Sequence, residues 1–226
     1  QPLEHGCTLL TVAPETLEPG TVRELTTRGF RVCAGHSNAT AEQIADAIGE
    51  GLCGFTHLYN AMSQLTGREP GVVGAALDND ETWCGIIVDG RHLSPVSVRI
   101  AYRCKGPRKL MLVTDAMPTV GSETRDFKLM GNTVTVKDGV CVDEKGTLAG
   151  SALDMAAALR NMIETTGCSL QDASMMASGS PAAFLGQHNC KGRIEAGMAA
   201  DFVILDAHLQ PRQTVIAGQA VWSRNS

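Results

Sequence analysis

Short, wholly apolar runs alternate along this chain with stretches of helical period, and that alternation constrains the fold more than any other feature. Residues 9–13, 30–35, 52–58, 84–88 and 110–114 read as five buried strands. Between the first two, Pro19-Gly20 leads into a helix marked by Val22 and Leu25, which Gly29 stops. Thr40 with Gln43 forms a capping box ahead of Ile44, Ala47 and Ile48, and Gly51 supplies the exit from that helix. The segment between the third and fourth strands reads as a loop rich in Gly and Pro, and Ser94-Pro95 cap and start a helix running toward Cys104. Strands that are apolar throughout, separated by helices, imply a parallel sheet covered on both faces: a doubly wound sheet or a barrel.

After the fifth strand the pattern changes. Residues 132–142 read as a hairpin turning at Asp138-Gly139, 152–165 and 170–185 as helices, and 201–205 and 214–222 as strands. The expected division gives 1–126 and 150–190 to the α/β unit and 127–149 and 191–226 to a small β-domain.

Composition narrows the class. With 19 basic against 24 acidic side chains, a net charge of −5 argues against a generally basic binder of nucleic acid or of anionic membranes. An apolar content of 43% with 19% charged residues is enough for a sizeable core and excludes a disordered chain. No apolar run approaches the roughly 18–20 residues of a membrane-spanning helix, and the N-terminus lacks a signal-peptide layout, so the expected location is the cytoplasm. The eight cysteines are scattered without CxxC spacing and read as reduced core residues, Cys33, Cys53 and Cys84 each lying in a strand-like run. Neither a Walker loop nor a GxGxxG is present, so nucleotide binding has no support.

In enclosed parallel α/β folds functional groups gather beyond the carboxyl ends of the strands. His36 follows VCAG, His57 follows GFT, His92 follows IIVDGR and Asp115 follows LMLVT, so four proton-transfer or metal-binding groups end four successive strands. One histidine so placed is usually packed or capping; the repetition is what points to chemistry. Imidazoles from two strands with a carboxylate from a third suit Zn²⁺ or Fe²⁺, although the set is one ligand short of a full catalytic site. Asp115 reads either as a turn aspartate satisfied by backbone amides or as a general base beside a metal. Asn60-Ala61 is either a plain turn or an amide suited to an oxyanion or phosphate, and Arg68 either salt-bridges Glu69 or presents itself to an anion. His5, His188 and His208 read as solvated.

These residues lie in text that resembles the N-acetylglucosamine-6-phosphate deacetylases of the amidohydrolase superfamily. The matching segments are VAPE at 12–15, AGHSNAT at 34–40, THLYNAM at 56–62, TGREPG at 66–71, DGRH at 89–92, LVTDAM at 112–117 and GTLAGS at 146–151. GRIEAGMAADFVILD at 192–206 resembles the strands with which many amidohydrolases complete a small β-sandwich. The resemblance implies a (β/α)₈ barrel with part of a β-sandwich, acting on the acetamido group of a phosphorylated amino sugar. It makes His36 and His57 metal ligands, with Zn²⁺ the expected ion and Fe²⁺ or Co²⁺ as alternatives. Asp115 becomes the general base that takes a proton from the attacking water and delivers it to the leaving amine. His92 would contact the sugar phosphate or hydroxyls, Asn60, Ala61 and Arg68 would hold the phosphate, and Leu148, Ala149 and Gly150 would line the sugar side. Arg68 is expected to reach the site of a neighbouring subunit in a homodimer.

One family element has no counterpart: the HLEGP-type segment whose glutamate completes the metal site and whose neighbouring histidine helps polarise the amide. PLEHG at 2–6 does not match it. The expectation is therefore a chain beginning at the fourth barrel strand and carrying strands four to eight. Its 226 residues fall short of the roughly 250 of a complete barrel, and by itself it is expected not to turn over substrate. The galacto epimer of the sugar, and a catalytically silent remnant that binds sugar phosphate, are the competing readings.

Overall fold

A computed structural model describes residues 6–129, 131–137 and 140–224. The expected Asp138-Gly139 turn, His5 and residues 2–5 of PLEHG lie outside the described residues. Strands β1 (Thr8–Val12), β2 (Phe30–Ala34), β3 (Gly54–Phe55), β4 (Trp83–Ile87) and β5 (Leu110–Val113) pair in parallel in the order β1-β2-β3-β4-β5. That order decides between the two architectures left open by the sequence. A doubly wound sheet reverses its strand order at a switch point, whereas a (β/α)₈ barrel adds each strand beside the last. The sheet belongs to the barrel type and carries five of its strands.

Helices α1 (Thr21–Thr27), α2 (Ala41–Gly49), α3 (Gly71–Asp78) and α4 (Pro95–Lys109) follow the first four strands in turn. The capping box at the start of α2 is formed in full: Gln43 N–H donates to Thr40 Oγ1 at 3.2 Å and Thr40 N–H to Gln43 Oε1 at 2.9 Å. Ser94 caps α4 by accepting from Ser97 N–H at 3.2 Å, and Gly106 (φ 61°, ψ 176°) breaks that helix before Pro107. Side chains alternate across the sheet. Val32, Ala34, Ile86, Leu110 and Leu112 pack outward against Ile44, Val72, Val98 and Ala101 of the helices, while Cys33 and Met111 face inward against Phe184.

The inner face is built for close approach. A Cβ on Gly54 would lie 2.9 Å from Cys33 Sγ and 3.2 Å from both Phe184 Cε2 and the Trp83 carbonyl oxygen. Gly54→Val is accordingly expected to lower unfolding free energy by about 1–3 kcal/mol, the usual cost of overpacking. Gly49→Ala, at a helix end with open space around it, should be neutral or slightly stabilising in the same urea titration.

Several local expectations need correction. The third strand is two residues long instead of spanning 52–58, because the backbone turns left-handed at His57 (φ 35°). The supposed Gly/Pro loop contains α3: Gly74 serves there as a packing residue, since a Cβ would run into Pro70. The carbonyls at the end of α3 are satisfied by Lys105, which is 7% exposed and donates through Nζ to the Ala76 and Asn79 carbonyl oxygens. Burial holds that ammonium below the ordinary lysine range. Following α5 (Met155–Thr166), the predicted 170–185 helix forms as α6 (Leu170–Ser174), a π-helical turn (Met175–Gly179) and α7 (Ser180–Phe184).

Two antiparallel sheets complete the described chain. β6 (Asp126–Leu129), β7 (Asn132–Lys137), β8 (Val140–Asp143) and β9 (Leu148–Ser151) form one, and β10 (Phe202–Leu205), β11 (Pro211–Ile216) and β12 (Gln219–Ser223) the other. The single strand expected over 214–222 is a hairpin, since Ala217 (φ 50°) and Gly218 (φ 77°) supply the two left-handed residues that a tight turn needs. No helix among the described residues is long and apolar enough to cross a membrane.

Candidate active site

The strand ends carry an unusual backbone. His36 (φ 51°), His57 (φ 35°), Tyr59 (φ 77°), Ala61 (φ 49°) and Asp115 (φ 51°) are all left-handed without being glycine. Each such residue costs on the order of 1–3 kcal/mol and persists only where surrounding contacts enforce it. Leu209 and Ala217, in turns next to β11, are the other two among the described residues. The strain thus concentrates on the loops after β2, β3 and β5, where the sequence placed its chemistry.

The reversal of chain direction brings two rings together. His36 Nε2 and His57 Nε2 lie 2.9 Å apart, with ring centroids separated by 4.7 Å and planes at 77°. His57 is 8% exposed and its Nδ1 is buried without a hydrogen-bond partner among the described residues. Burial, and after it the neighbouring His36, pushes the His57 pKa below the ordinary imidazole range, while the negative charge of Asp115 opposes that shift. The ring is therefore held neutral, with a lone pair available, as metal ligation requires. Two nitrogens sharing a tetrahedral Zn²⁺ at about 2.0–2.1 Å would be roughly 3.3 Å apart, so the observed spacing is within a few tenths of an ångström of that demand. The two imidazoles fit a divalent cation as a pair of ligands. Among the described residues no three His, Cys, Asp or Glu side chains form a group able to hold a metal.

Asp115 is exposed at the end of β5 and is not a turn aspartate. Turn aspartates here accept backbone N–H groups through the carboxylate, as Asp143 does from Lys145 and Thr147 and Asp206 does from His208 and Gln210. Asp115 instead is fixed by its backbone: its carbonyl accepts from Ser151 N–H at 2.8 Å, Met117 N–H donates to the Ser151 carbonyl at 3.0 Å, and the buried Ser151 hydroxyl donates to the Thr114 carbonyl. β9 consequently lies across the end of β5. Gly150 (φ 86°) is required at the crossing, because a Cβ would strike Met117 and lie 3.0 Å from the Asp115 carbonyl oxygen. Leu148 and Ala149 come to this strand end on the same segment.

His92 is half of a dyad that the sequence reading did not identify. Its Nδ1 lies 2.6 Å from Asp89 Oδ2, both side chains being 5% exposed, and Asp89 Oδ1 accepts the backbone N–H groups of Arg91 and His92 at 2.8 Å. Burial raises the Asp89 carboxyl, but the hydrogen bonds from the His92 ring and from the two backbone N–H groups outweigh it and hold the group below the usual range. Asp89 stays ionised and accepts a hydrogen bond from His92 Nδ1–H, which fixes the orientation of the ring. The signal was present in the text, an aspartate three residues before the histidine in DGRH.

The loops after β2 and β3 differ from expectation in their details. Asn60 Nδ2 donates to the His57 and Leu58 carbonyls at 3.2 and 3.3 Å, so its amide hydrogens shape the turn. The Ala61 carbonyl accepts from Ser37 N–H at 3.1 Å. Glu69 does not bridge Arg68: its Oε1 accepts Ala41 N–H at 2.8 Å and Gly71 N–H at 2.9 Å, which depresses its pKa and ties the TGREPG loop to the start of α2. Arg68 is exposed and makes no ion pair among the described residues. His188 and His208 are exposed, as expected.

The chain is similar to known proteins over most of its length. The Amidohydrolase family profile matches residues 27–221. An N-acetylgalactosamine-6-phosphate deacetylase of Shewanella sp. (strain ANA-3) is 44% identical over 218 residues, covering 96% of this chain and 55% of the relative. The Homo sapiens N-acetylglucosamine-6-phosphate deacetylase is 38% identical over 227 residues, again covering 96% of this chain and 55% of the relative. The crystal structure of N-acetylglucosamine-6-phosphate deacetylase from Pasteurella multocida superposes with a TM-score of 0.92 at 36% identity, covering 96% of this chain and 57% of that one. The chain spans about half the length of the curated relatives it matches. With a matching profile over most of its length, a barrel-type sheet and paired strand-end histidines, the chain belongs to the amidohydrolase family.

Proposed function

We propose that this chain supplies the histidine, general-base and phosphate-facing part of an enzyme that hydrolyses N-acetyl-D-glucosamine 6-phosphate to glucosamine 6-phosphate and acetate. The observation that carries the reading is the meeting of His36 Nε2 and His57 Nε2 at 2.9 Å on strand ends that Asp115 shares. The names of relatives at 38–44% identity support the substrate class. His36 and His57 would hold a divalent cation, Zn²⁺ before Fe²⁺ or Co²⁺, which when bound supplies Lewis acidity toward the amide carbonyl and the attacking water. Asp115, exposed and with its carboxylate engaged by no backbone amide among the described residues, removes a proton from that water and returns it to the amine nitrogen as the C–N bond breaks. The Asp89-held His92 offers Nε2 as an acceptor to a sugar hydroxyl.

Ala61 and the exposed Arg68 serve the phosphate, whose binding energy orients the acetamide. Arg68, exposed and without an ion pair among the described residues, suits reach into a second subunit of a homodimer. The eight free thiols, four of them buried, support a reducing, cytoplasmic setting. A second reading has its own support: the Shewanella relative, at 44% identity, is named for the galacto epimer. Amine release from the two epimeric N-acetylhexosamine 6-phosphates, assayed with Zn²⁺ on the full natural protein carrying this sequence, decides between them. Release from neither sugar at saturating metal would sink both.

A further inference from the structure

His57 is held by burial, but His36 is exposed, and something must keep its strained backbone from relaxing. The restraint comes from a different strand's loop. Glu15 sits in the short 3₁₀ turn Pro14–Thr16 after β1, and its carboxylate reaches across to the two residues that follow His36. Ser37 Oγ donates to Glu15 Oε2 at 2.6 Å, and Asn38 N–H donates to Glu15 Oε1 at 2.6 Å. Both oxygens of one charged group are thus engaged by adjacent residues, a bidentate and charge-assisted arrangement.

The anchored residue is itself a junction. Ser37 is 1% exposed, and its hydroxyl oxygen also accepts Ala39 N–H at 3.1 Å. Its backbone N–H donates to the Ala61 carbonyl at 3.1 Å, and its carbonyl accepts Ser63 N–H at 3.0 Å. Ala61 belongs to the loop after His57 and carries a left-handed φ of 49°. One carboxylate therefore fixes the residue that binds the His36 loop to the His57 loop. Loss of that group removes the hold on the Ser37 hydroxyl and on Asn38 N–H together, which leaves Ser37 on its remaining bonds and loosens the restraint on the left-handed backbone at His36.

We infer that Glu15 is a positioning residue that aims His36 Nε2 at the point it shares with His57 Nε2. It acts through Ser37 and Asn38 and touches neither ring. The inference rests on the proposed metal-ligand role of the two histidines for its functional meaning, but not for its geometric content.

The test uses this chain as it stands, with Glu15→Ala, the more conservative Glu15→Gln, and Glu24→Gln in the exposed Arg28 ion pair as control. Amide exchange and ring-to-ring contacts are read by NMR without metal, and Co²⁺ affinity is read by absorption. Glu15→Ala should speed exchange at Asn38 at least tenfold, abolish the His36–His57 ring contact and weaken Co²⁺ binding about tenfold, as loss of an outer-shell support does. Exchange across β4 should stay unchanged. Glu15→Gln, which keeps an acceptor but not the charge, should fall between, and it carries the comparison if the alanine variant does not fold. An unaltered ring contact in both variants, or exchange accelerated equally across β4, overturns the inference. If the ring contact is lost in Glu15→Ala while even the parent chain binds no Co²⁺, Glu15 positions His36 and it is the metal reading that fails.

Discussion

Replacing His57 with asparagine is expected to weaken Zn²⁺ or Co²⁺ binding by more than the roughly 10–100-fold that loss of an outer-shell partner costs, because a direct ligand is removed. In the full natural protein, deacetylation should fall with it. Two properties make His57 the more sensitive of the pair. It is buried where His36 is exposed, and burial together with the neighbouring His36 favours its neutral, metal-binding form. The pH dependence carries a definite sign. The folded His57 pKa lies below the unfolded value of about 6.5, so below that pH the unfolded chain binds more protons than the folded one. Linkage then makes the metal-free chain less stable as pH falls below about 6.5, and leaves this contribution constant above it. Thermal unfolding across pH 5–7.5 should show a shallower acid slope in His57→Asn than in the parent. An unchanged slope, together with unchanged metal affinity, would show that His57 is a packed core histidine and not a ligand.

How much of this was legible beforehand depended on whether a signal was local. The capping box at Thr40 and Gln43 and the Ser94 cap involve residues three apart, and both form as read. The five strands were legible from apolar runs of ordinary length, but not the order that separates a barrel from a doubly wound sheet, since pairing is long-range. Glycine misled twice. In α3, Gly71 and Gly74 suggested a loop, although the space at Gly74 is filled by Pro70. In 214–222, Gly218 was read through, although with Ala217 it turns the chain back on itself.

The site followed the same rule. His36, His57, His92 and Asp115 could be placed by the strand-end argument alone, whereas the carboxylates that organise them could not. Glu15 lies 22 residues from Ser37, and Glu69 lies 28 from Ala41, so nothing in local spacing connects them. Asp89 was the exception within reach, three residues from the ring it holds. The left-handed backbone at His36, His57 and Asp115 leaves only a weak sequence signal, because none of the three is glycine and His and Asp are merely enriched in that region.

Asp115→Asn in the full natural protein should lower kcat by about 10²–10⁴-fold, the range typical of lost general acid–base catalysis, with little change in KM. The substitution keeps the size and backbone of the residue, and the fixing contacts at this strand end are backbone ones: the Asp115 carbonyl to Ser151 N–H, and the Ser151 hydroxyl to the Thr114 carbonyl. The left-handed φ of 51° is tolerated better by Asn than by most residues. Fold and β9 crossing should therefore survive, and only the capacity to carry a proton is lost. Asp115 also opposes the downward shift of the His57 pKa, so its neutralisation should lower that pKa further. Titration of the His57 ring by NMR in Asp115→Asn supplies this second readout independently of turnover. A variant with near-parental kcat would remove Asp115 from the proton path, and an unmoved His57 titration would show that the carboxylate does not face the imidazole pair. Loss of kcat with a lowered His57 pKa is the joint outcome expected if one carboxylate both serves the reaction and tunes the ligand beside it.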